Sequence, residues 1–308
     1  MAEIVICEFM DESIVRQAFA GRDALYDPKL VDAPGDLATA LGNARALIVR
    51  NRTRVDSALL AQAPRLRVVG RLGVGLDNID LEACKARAIQ VIPATGANDI
   101  AVAEYVITAM LVLLRRAWFA SAAVAAGEWP RMALIGRETS GKRLGLVGLG
   151  AIARDTAQRA RALGMSVAAC DPHLPDSHPG WQLAERLDLD TLFASSDAVS
   201  LHVPLTPATR GLADARRLAL MKRGAILINS ARGGVVDESA LVHALRAGQL
   251  GGAALDVFER EPLDADAGRR FAGLPNLLLT PHIAGVTEES NVRVSAVTAA
   301  AVLRTLDA

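Results

Sequence analysis

Residues 143–153, RLGLVGLGAIA, constrain the fold more than any other stretch of the chain. An apolar run that reads as a strand ends at Gly148-Leu149-Gly150, and a helical pattern starts at once. The first glycine permits a tight turn. The second lets an anionic group approach the backbone at a helix amino end, where free N–H groups and the helix dipole favour negative charge. The third small position is Ala153, which suits close helix–sheet packing. Asp171 ends the next expected strand, 23 residues beyond Gly148, where a carboxylate accepts hydrogen bonds from an adenosine ribose. That carboxylate repels a 2′-phosphate, and Pro172-His173 follow it rather than a basic pair. The motif therefore points to NAD rather than NADP.

The rest of the chain supplies the frame such a motif needs. Strands are predicted at 3–7, 46–50, 67–71 and 90–92, separated by helical patterns that begin at or near Asp11, Asp56 and Asp80, each placed to cap a helix. A long helix at about 99–117 and the loop AGEWPRM interrupt this rhythm. It restarts with strands at 143–148, 166–170, 197–201, 225–229, 251–255 and 276–280, the count of a complete doubly wound dinucleotide domain. A last helix at about 287–306, with Val292, Val297, Ala300 and Leu303 expected on its apolar face, is too short to be a domain and packs back on the first one. The fold class is α/β, with two doubly wound parallel-sheet domains: a Rossmann NAD-binding domain (99–284) inserted in a flavodoxin-like substrate domain (1–98 and 285–308).

Length fits that division, since 308 residues exceed one typical core. Thirty-four basic residues balance thirty-four acidic ones, and aromatics make up only 4%, which argues against a nucleic-acid or membrane partner. Cys7, Cys84 and Cys170 are odd in number and far apart, so no disulfide framework is expected and a reducing compartment is favoured. The amino terminus is acidic where a signal peptide needs a basic start. The most hydrophobic run, YVITAMLVLL at 105–114, is half the length needed to span a bilayer and reads as a buried helix. A cytoplasmic protein is expected.

Three residues raise the question of chemistry. Arg232, in AILINSARGG, follows a core strand and is flanked by residues too small to shield its charge, so an anion is expected to meet it. His282 follows the sixth strand of the second domain in LTPHIAG, and Glu261 follows the fifth in FEREPL. A carboxylate beside the imidazole would hold one ring nitrogen and raise its pKa, giving a general acid–base. All three follow successive strands, at the carboxyl edge where ligands bind in such sheets. His173, His178 and His202 have no usual zinc spacing, so no metal is expected.

Across nearly its full length the chain resembles the D-isomer-specific 2-hydroxyacid dehydrogenase family. The matching stretches are GRLGVGLDNIDLEAC, VAEYVITAMLVLLR, GKRLGLVGLGAIA, LHVPLTPATRG, MKRGAILINSARGGVVDESAL, GAALDVFEREPL and LTPHIAG. The resemblance implies an NAD-dependent oxidoreductase passing a hydride between nicotinamide and a small D-2-hydroxy or 2-keto acid. It implies that Arg232 binds the substrate carboxylate and keto oxygen, that Glu261 supports His282, and that His282 moves the proton. It further implies backbone donors at Gly73, Val74 and Gly75 for the same carboxylate, and an Asp256 that orients the nicotinamide. Cofactor contacts are implied at Gly148, Gly150, Ala151, Ile152, Asp171, Pro204, Thr209, Ala231 and Gly285. In the family the helix at VAEYVITAMLVLLRR also packs on a second subunit, which implies a homodimer.

The chain departs from the family text at Ala88, at IPATGAN (92–98) and at Asn51 in VRNRT. The last two lie near the expected substrate loops, where Arg50 or Arg52 would meet a second anionic group of the substrate such as a carboxylate, phosphate or sulfonate. The rival readings are a dehydrogenase of another small anion, phosphite-like, and a non-catalytic NAD(H)-sensing protein of the same fold.

Overall fold

An apolar run without a polar side must be covered on both faces, the condition of a parallel strand between two helical layers. The computed structural model describes residues 2–116, 120–274 and 276–308 and meets this condition twice. Two compact units result, one of Met1–Asn98 with Val286–Ala308, the other of Asp99–Gly285.

The first unit runs β1 (Ile4–Ile6), α1 (Glu12–Ala18), β2 (Ala24–Tyr26), α2 (Pro34–Leu41), β3 (Ala46–Val49), α3 (Ser57–Ala61), β4 (Val68–Arg71), α4 (Leu81–Ala86) and β5 (Gln90–Pro93). Its strands are all parallel in the order β2-β1-β3-β4-β5. Pleating sends Leu47 and Val49 of β3 into one core layer and Ala46 and Ile48 into the other. The three aspartates act as caps: Asp11 accepts from the Ile14 N–H, Asp56 from those of Ala58 and Leu59, and Asp80 from that of Ala83. The sequence reading missed β2 and α2. The first is three residues long and lies at the sheet edge, and the second starts on Pro34 without a capping side chain.

The second unit runs α5 (Asp99–Arg115), α6 (Ala120–Ala125), β6 (Arg143–Val147), α7 (Ala151–Ala162), β7 (Ser166–Cys170), β8 (Glu185–Arg186), α8 (Leu189–Ser195), β9 (Ala198–Leu201), α9 (Ala215–Leu220), β10 (Ala225–Asn229), α10 (Glu238–Arg246), β11 (Leu250–Leu255), α11 (Ala265–Gly268) and β12 (Leu277–Leu279). Its parallel strands lie in the order β12-β11-β10-β9-β6-β7-β8. This sheet has seven strands where the sequence suggested six; the addition is β8, two exposed residues at the edge. Val106, Met110, Leu113 and Leu114 of α5 share a core layer with Leu144, Leu146, Ile226 and Ile228, so the most hydrophobic run of the sequence is a buried helix. The expected end of that helix at 117 lies outside the described residues. Among the described residues no helix is long and apolar enough to cross a membrane.

The closing helix, α12 (Glu288–Asp307), packs on the first unit's sheet, but not by the face expected. Val292, Val297 and Ala300 are exposed, Leu303 packs partly on the core as expected, and the buried face carries Ser290, Val294, Ser295, Thr298, Ala299, Ala301, Val302 and Leu306. The reason is close approach. A Cβ on Gly70 of β4 would come within 2.6 Å of Val302 and 2.9 Å of Thr298, so the missing side chain lets this face of the helix, Val302 and Thr298 foremost, lie close on β4.

Candidate active site

Every chemically suggestive residue of the second unit sits in a loop at the carboxyl edge of its sheet, where free backbone groups and strand ends converge. The glycine loop follows β6. Gly148 has φ +91°, and a Cβ there would lie 2.5 Å from the His202 carbonyl oxygen, so only glycine fits. Gly150 is different. It is the N-cap of the twelve-residue α7, offers no capping side chain, and a Cβ on it would meet nothing within 4 Å. That leaves the N–H groups of Ala151, Ile152 and the rest of the first turn open to an anion, as a pyrophosphate requires. Asp171, at the end of β7, accepts from the Leu149 N–H (2.9 Å) and the His173 N–H (2.9 Å), so it shapes the loop while keeping further lone pairs for a ribose. After β9, Thr209 donates to the Pro204 carbonyl (2.5 Å). The residues present fit a dinucleotide.

The Arg232 loop follows β10 and is held by Asn229, which is buried. Its amide donates to the Arg232 carbonyl (3.0 Å) and accepts from the Ala231 N–H (3.1 Å). Arg232 Nη1 donates to the Ala231 carbonyl (2.6 Å). A Cβ on Gly233 would fall 1.6 Å from the Phe258 carbonyl oxygen, so this loop and the one after β11 are pressed together through the missing side chain. The second loop carries Glu261. One carboxylate oxygen accepts from the Phe258 N–H (2.9 Å) and the other lies 2.7 Å from His282 Nδ1. Burial pushes the Glu261 carboxyl up, but His282, the Phe258 N–H and the nearby Arg232 charge outweigh it and hold it below the ordinary range. Arginine, carboxylate and imidazole are thus brought together.

His282 has φ +56°, a left-handed conformation unusual for a residue with a Cβ. Its N–H donates to the carbonyls of Asp256 (2.8 Å) and Thr280 (3.0 Å). The Asp256 carboxylate, 1% exposed, accepts from the Thr280 hydroxyl (2.6 Å) and the N–H groups of Ile283 (2.7 Å) and Ala284 (2.8 Å). The Tyr105 hydroxyl lies 2.6 Å from that of Thr280. Burial pushes Asp256 up, against the bonds it accepts, and pushes Tyr105 up to about 12. Asp256 therefore fastens the histidine loop, Gly285 following directly, in addition to any contact with the nicotinamide.

In the first unit the two candidate arginines have different partners. The Arg52 guanidinium pairs with Asp32 in an exposed ion pair. Arg50 lies over the Phe9 ring, 5.7 Å from its centroid, and Nη2 donates to Asn291 Oδ1 (3.0 Å). Burial lowers the Arg50 guanidinium, and the charge of Glu8 opposes that. Of the expected backbone donors, the Gly73 N–H is already given to the Arg71 carbonyl (2.9 Å); among the described residues Val74 and Gly75 make no such bond.

Sequence reasoning missed Glu8, Asn229, Thr280, Tyr105 and Asn291. Two of them carried a signal, for Glu8 and Asn229 each end an apolar strand run with a polar group that must be satisfied where it is buried. The others depend on contacts between distant segments.

Residues 107–284 match the family model described as D-isomer specific 2-hydroxyacid dehydrogenase, NAD binding domain. The chain is 54% identical over 307 residues to an (S)-sulfolactate dehydrogenase of Chromohalobacter salexigens, covering 99% of each. It is 41% identical over 254 residues to a D-3-phosphoglycerate dehydrogenase of Archaeoglobus fulgidus, a match that covers 82% of this chain and 48% of that longer one. A crystal structure of D-lactate dehydrogenase from Aquifex aeolicus, complexed with NAD and lactic acid, superposes with a TM-score of 0.86 at 28% identity, covering 99% of this chain and 95% of that one.

Proposed function

Because this chain belongs to the D-isomer specific 2-hydroxyacid dehydrogenases, enzymes that use NAD and act on small hydroxy and keto acids, we propose how its own residues divide that work and which acid it takes. When bound, NAD would supply a hydride acceptor for the hydroxy acid, and its reduced form a hydride donor for the keto acid. The Gly148–Gly150 loop, Ala151, Ile152, Asp171, Pro204, Thr209, Ala231, Asp256 and Gly285 would hold the dinucleotide. Arg232 binds the α-carboxylate and steadies charge on the substrate oxygen. Glu261 accepts the Nδ1 proton of His282, which fixes the ring and leaves Nε2 to give a proton in reduction and take one in oxidation. Val74 and Gly75 add backbone donors for the carboxylate. The observation that carries this reading is the 2.7 Å pairing of His282 with Glu261 beside the Arg232 charge.

The acid we propose is (S)-sulfolactate, with sulfopyruvate as its keto form. The full-length likeness to the sulfolactate enzyme supports it, and so does Arg50, which is anchored yet, among the described residues, not ion-paired to a neighbour as Arg52 is. The stereochemistry is consistent. In lactate the carboxylate outranks the methyl group, whereas in sulfolactate the sulfur-bearing carbon outranks the carboxylate. The descriptor changes while the spatial arrangement stays that of D-lactate. Arg50 meets the sulfonate in this scheme. We also infer a homodimer, supported by the exposed apolar side chains of Val124, Trp129, Met132 and Ile135, and a cytoplasmic location, supported by three unpaired cysteines.

The test follows NADH absorbance with sulfopyruvate, hydroxypyruvate, glyoxylate and pyruvate. His282→Ala and Arg232→Ala are each expected to lower kcat by a factor of about 100 to 10,000 while NADH still binds. Tight NADH binding without turnover of any acid by the unaltered protein would refute the reading.

A further inference from the structure

We propose that Glu8 is a positioning residue for substrate selectivity, acting through Arg50. The proposal rests on the reading that Arg50 meets a second anionic group. In the first unit the strand order reverses between β1 and β3, so the ends of these two strands flank the place where sheets of this kind receive an anion. Here the chain places its own carboxylate there. Glu8, two residues past the end of β1 and 4% exposed, accepts from four successive backbone N–H groups beyond β3: Arg50 (2.9 Å), Asn51 (3.2 Å), Arg52 (3.1 Å) and Thr53 (2.9 Å).

The neighbours of Glu8 tighten the same grip. Cys7 Sγ lies 3.3 Å from Thr53 Oγ1, and the Phe9 ring underlies the Arg50 guanidinium. Asn78 adds a bond from its amide to the Thr53 carbonyl (2.7 Å). A turn whose donors are all spent on one buried carboxylate has few other conformations open to it, and a guanidinium is selective only where its fork is held. The carboxylate has a second effect. It places a negative charge near a half-buried arginine and so offsets part of the cost of keeping Arg50 charged without closing a salt bridge that would block its face.

Glutamine tests this, because it keeps the shape but turns an N–H₂ toward donors that need an acceptor. The readout is the ratio of kcat/KM for sulfolactate to that for lactate, with the melting temperature recorded for each variant. Glu8→Gln is expected to lower this ratio by about ten- to a hundredfold, mainly through KM for the sulfonated acid, and Glu8→Asp by less. In an Arg50→Ala background, where the ratio has already collapsed, Glu8→Gln should lower it no further. If Glu8→Gln depresses both substrates equally while Arg50→Ala still collapses the ratio, Glu8 only stabilises the fold and the proposal fails, with the role of Arg50 intact. If Arg50→Ala leaves the ratio as it was, the reading of Arg50 fails and takes the proposal with it. Should Glu8→Gln not fold, Glu8→Asp against Arg50→Ala supplies the same comparison.

Discussion

Among the described residues four that are not glycine have left-handed backbone: Ala88, Arg116, Asn276 and His282. Ala88 and His282 show two meanings of the same strain. His282 is held there by a buried aspartate and presents an imidazole, so the strain belongs to the site. Ala88, at φ +55° just beyond α4, has no such reason. Ala88→Gly should therefore raise stability by about 0.5–1 kcal/mol, read as a higher urea midpoint at unchanged slope. A buried titration belongs to this scale too. His202, half-buried with Nε2 3.0 Å from Ser200 Oγ, is lowered by burial to about 4. The unfolded chain takes up this proton first as pH falls, so the stabilisation is complete above about 6.5 and is lost between there and about 4. The loss is at most about 3 kcal/mol, less for whatever surface the ring keeps. Urea unfolding at pH 7.5 and 4.5 should show a smaller pH difference for His202→Gln than for the unaltered protein.

At the scale of elements, the β6–α7 junction separates what folding needs from what binding needs. Gly148 is demanded by its own conformation and by the His202 carbonyl 2.5 Å from the Cβ position, both present before any ligand arrives. Gly150 meets nothing. Gly148→Ala should cost at least about 2 kcal/mol of stability. Gly150→Ala should stay within about 0.5 kcal/mol yet weaken NADH binding about tenfold or more, measured by fluorescence titration. Equal stability losses in the two variants would contradict this division. The strand runs at β3 and β10 were legible because a run apolar on both faces has only one place to go, and the three capping aspartates marked their helices by residue type alone. The edge strands β2 and β8 were not legible, because such short segments gain their identity from a neighbour's open edge and not from their own pattern. The face of α12 was misread for a similar reason. Valines stand on both sides of this helix, and the close approach of Val302 and Thr298 to Gly70, a contact between distant segments, decides which side is buried.

At the scale of the whole molecule, the three most exposed large apolar side chains among the described residues fall in one stretch after α5, Trp129 (74%), Met132 (80%) and Ile135 (61%), with Val124 (44%) shortly before them. Monomeric surfaces seldom leave so much unburied in one segment. If this stretch closes a dimer, the double variant Trp129→Asp, Met132→Asp should shift the mass from two chains to one by light scattering with size exclusion. An unchanged mass would move the interface elsewhere.

The sequence by itself determined the parallel sheets and the glycine turn after β6, and it singled out Arg232, Glu261 and His282 as candidates, because each rests on local chemistry: a glycine turn, an apolar run, a charge that demands a partner. Only the tertiary structure decided that Arg52 is spent on Asp32 while Arg50 is not, that Glu8 closes the 50–53 turn, and that Asp256, Thr280 and Tyr105 fasten the histidine loop. These are hydrogen bonds between segments up to 175 residues apart. No periodicity or motif records which distant groups folding will bring within three ångströms.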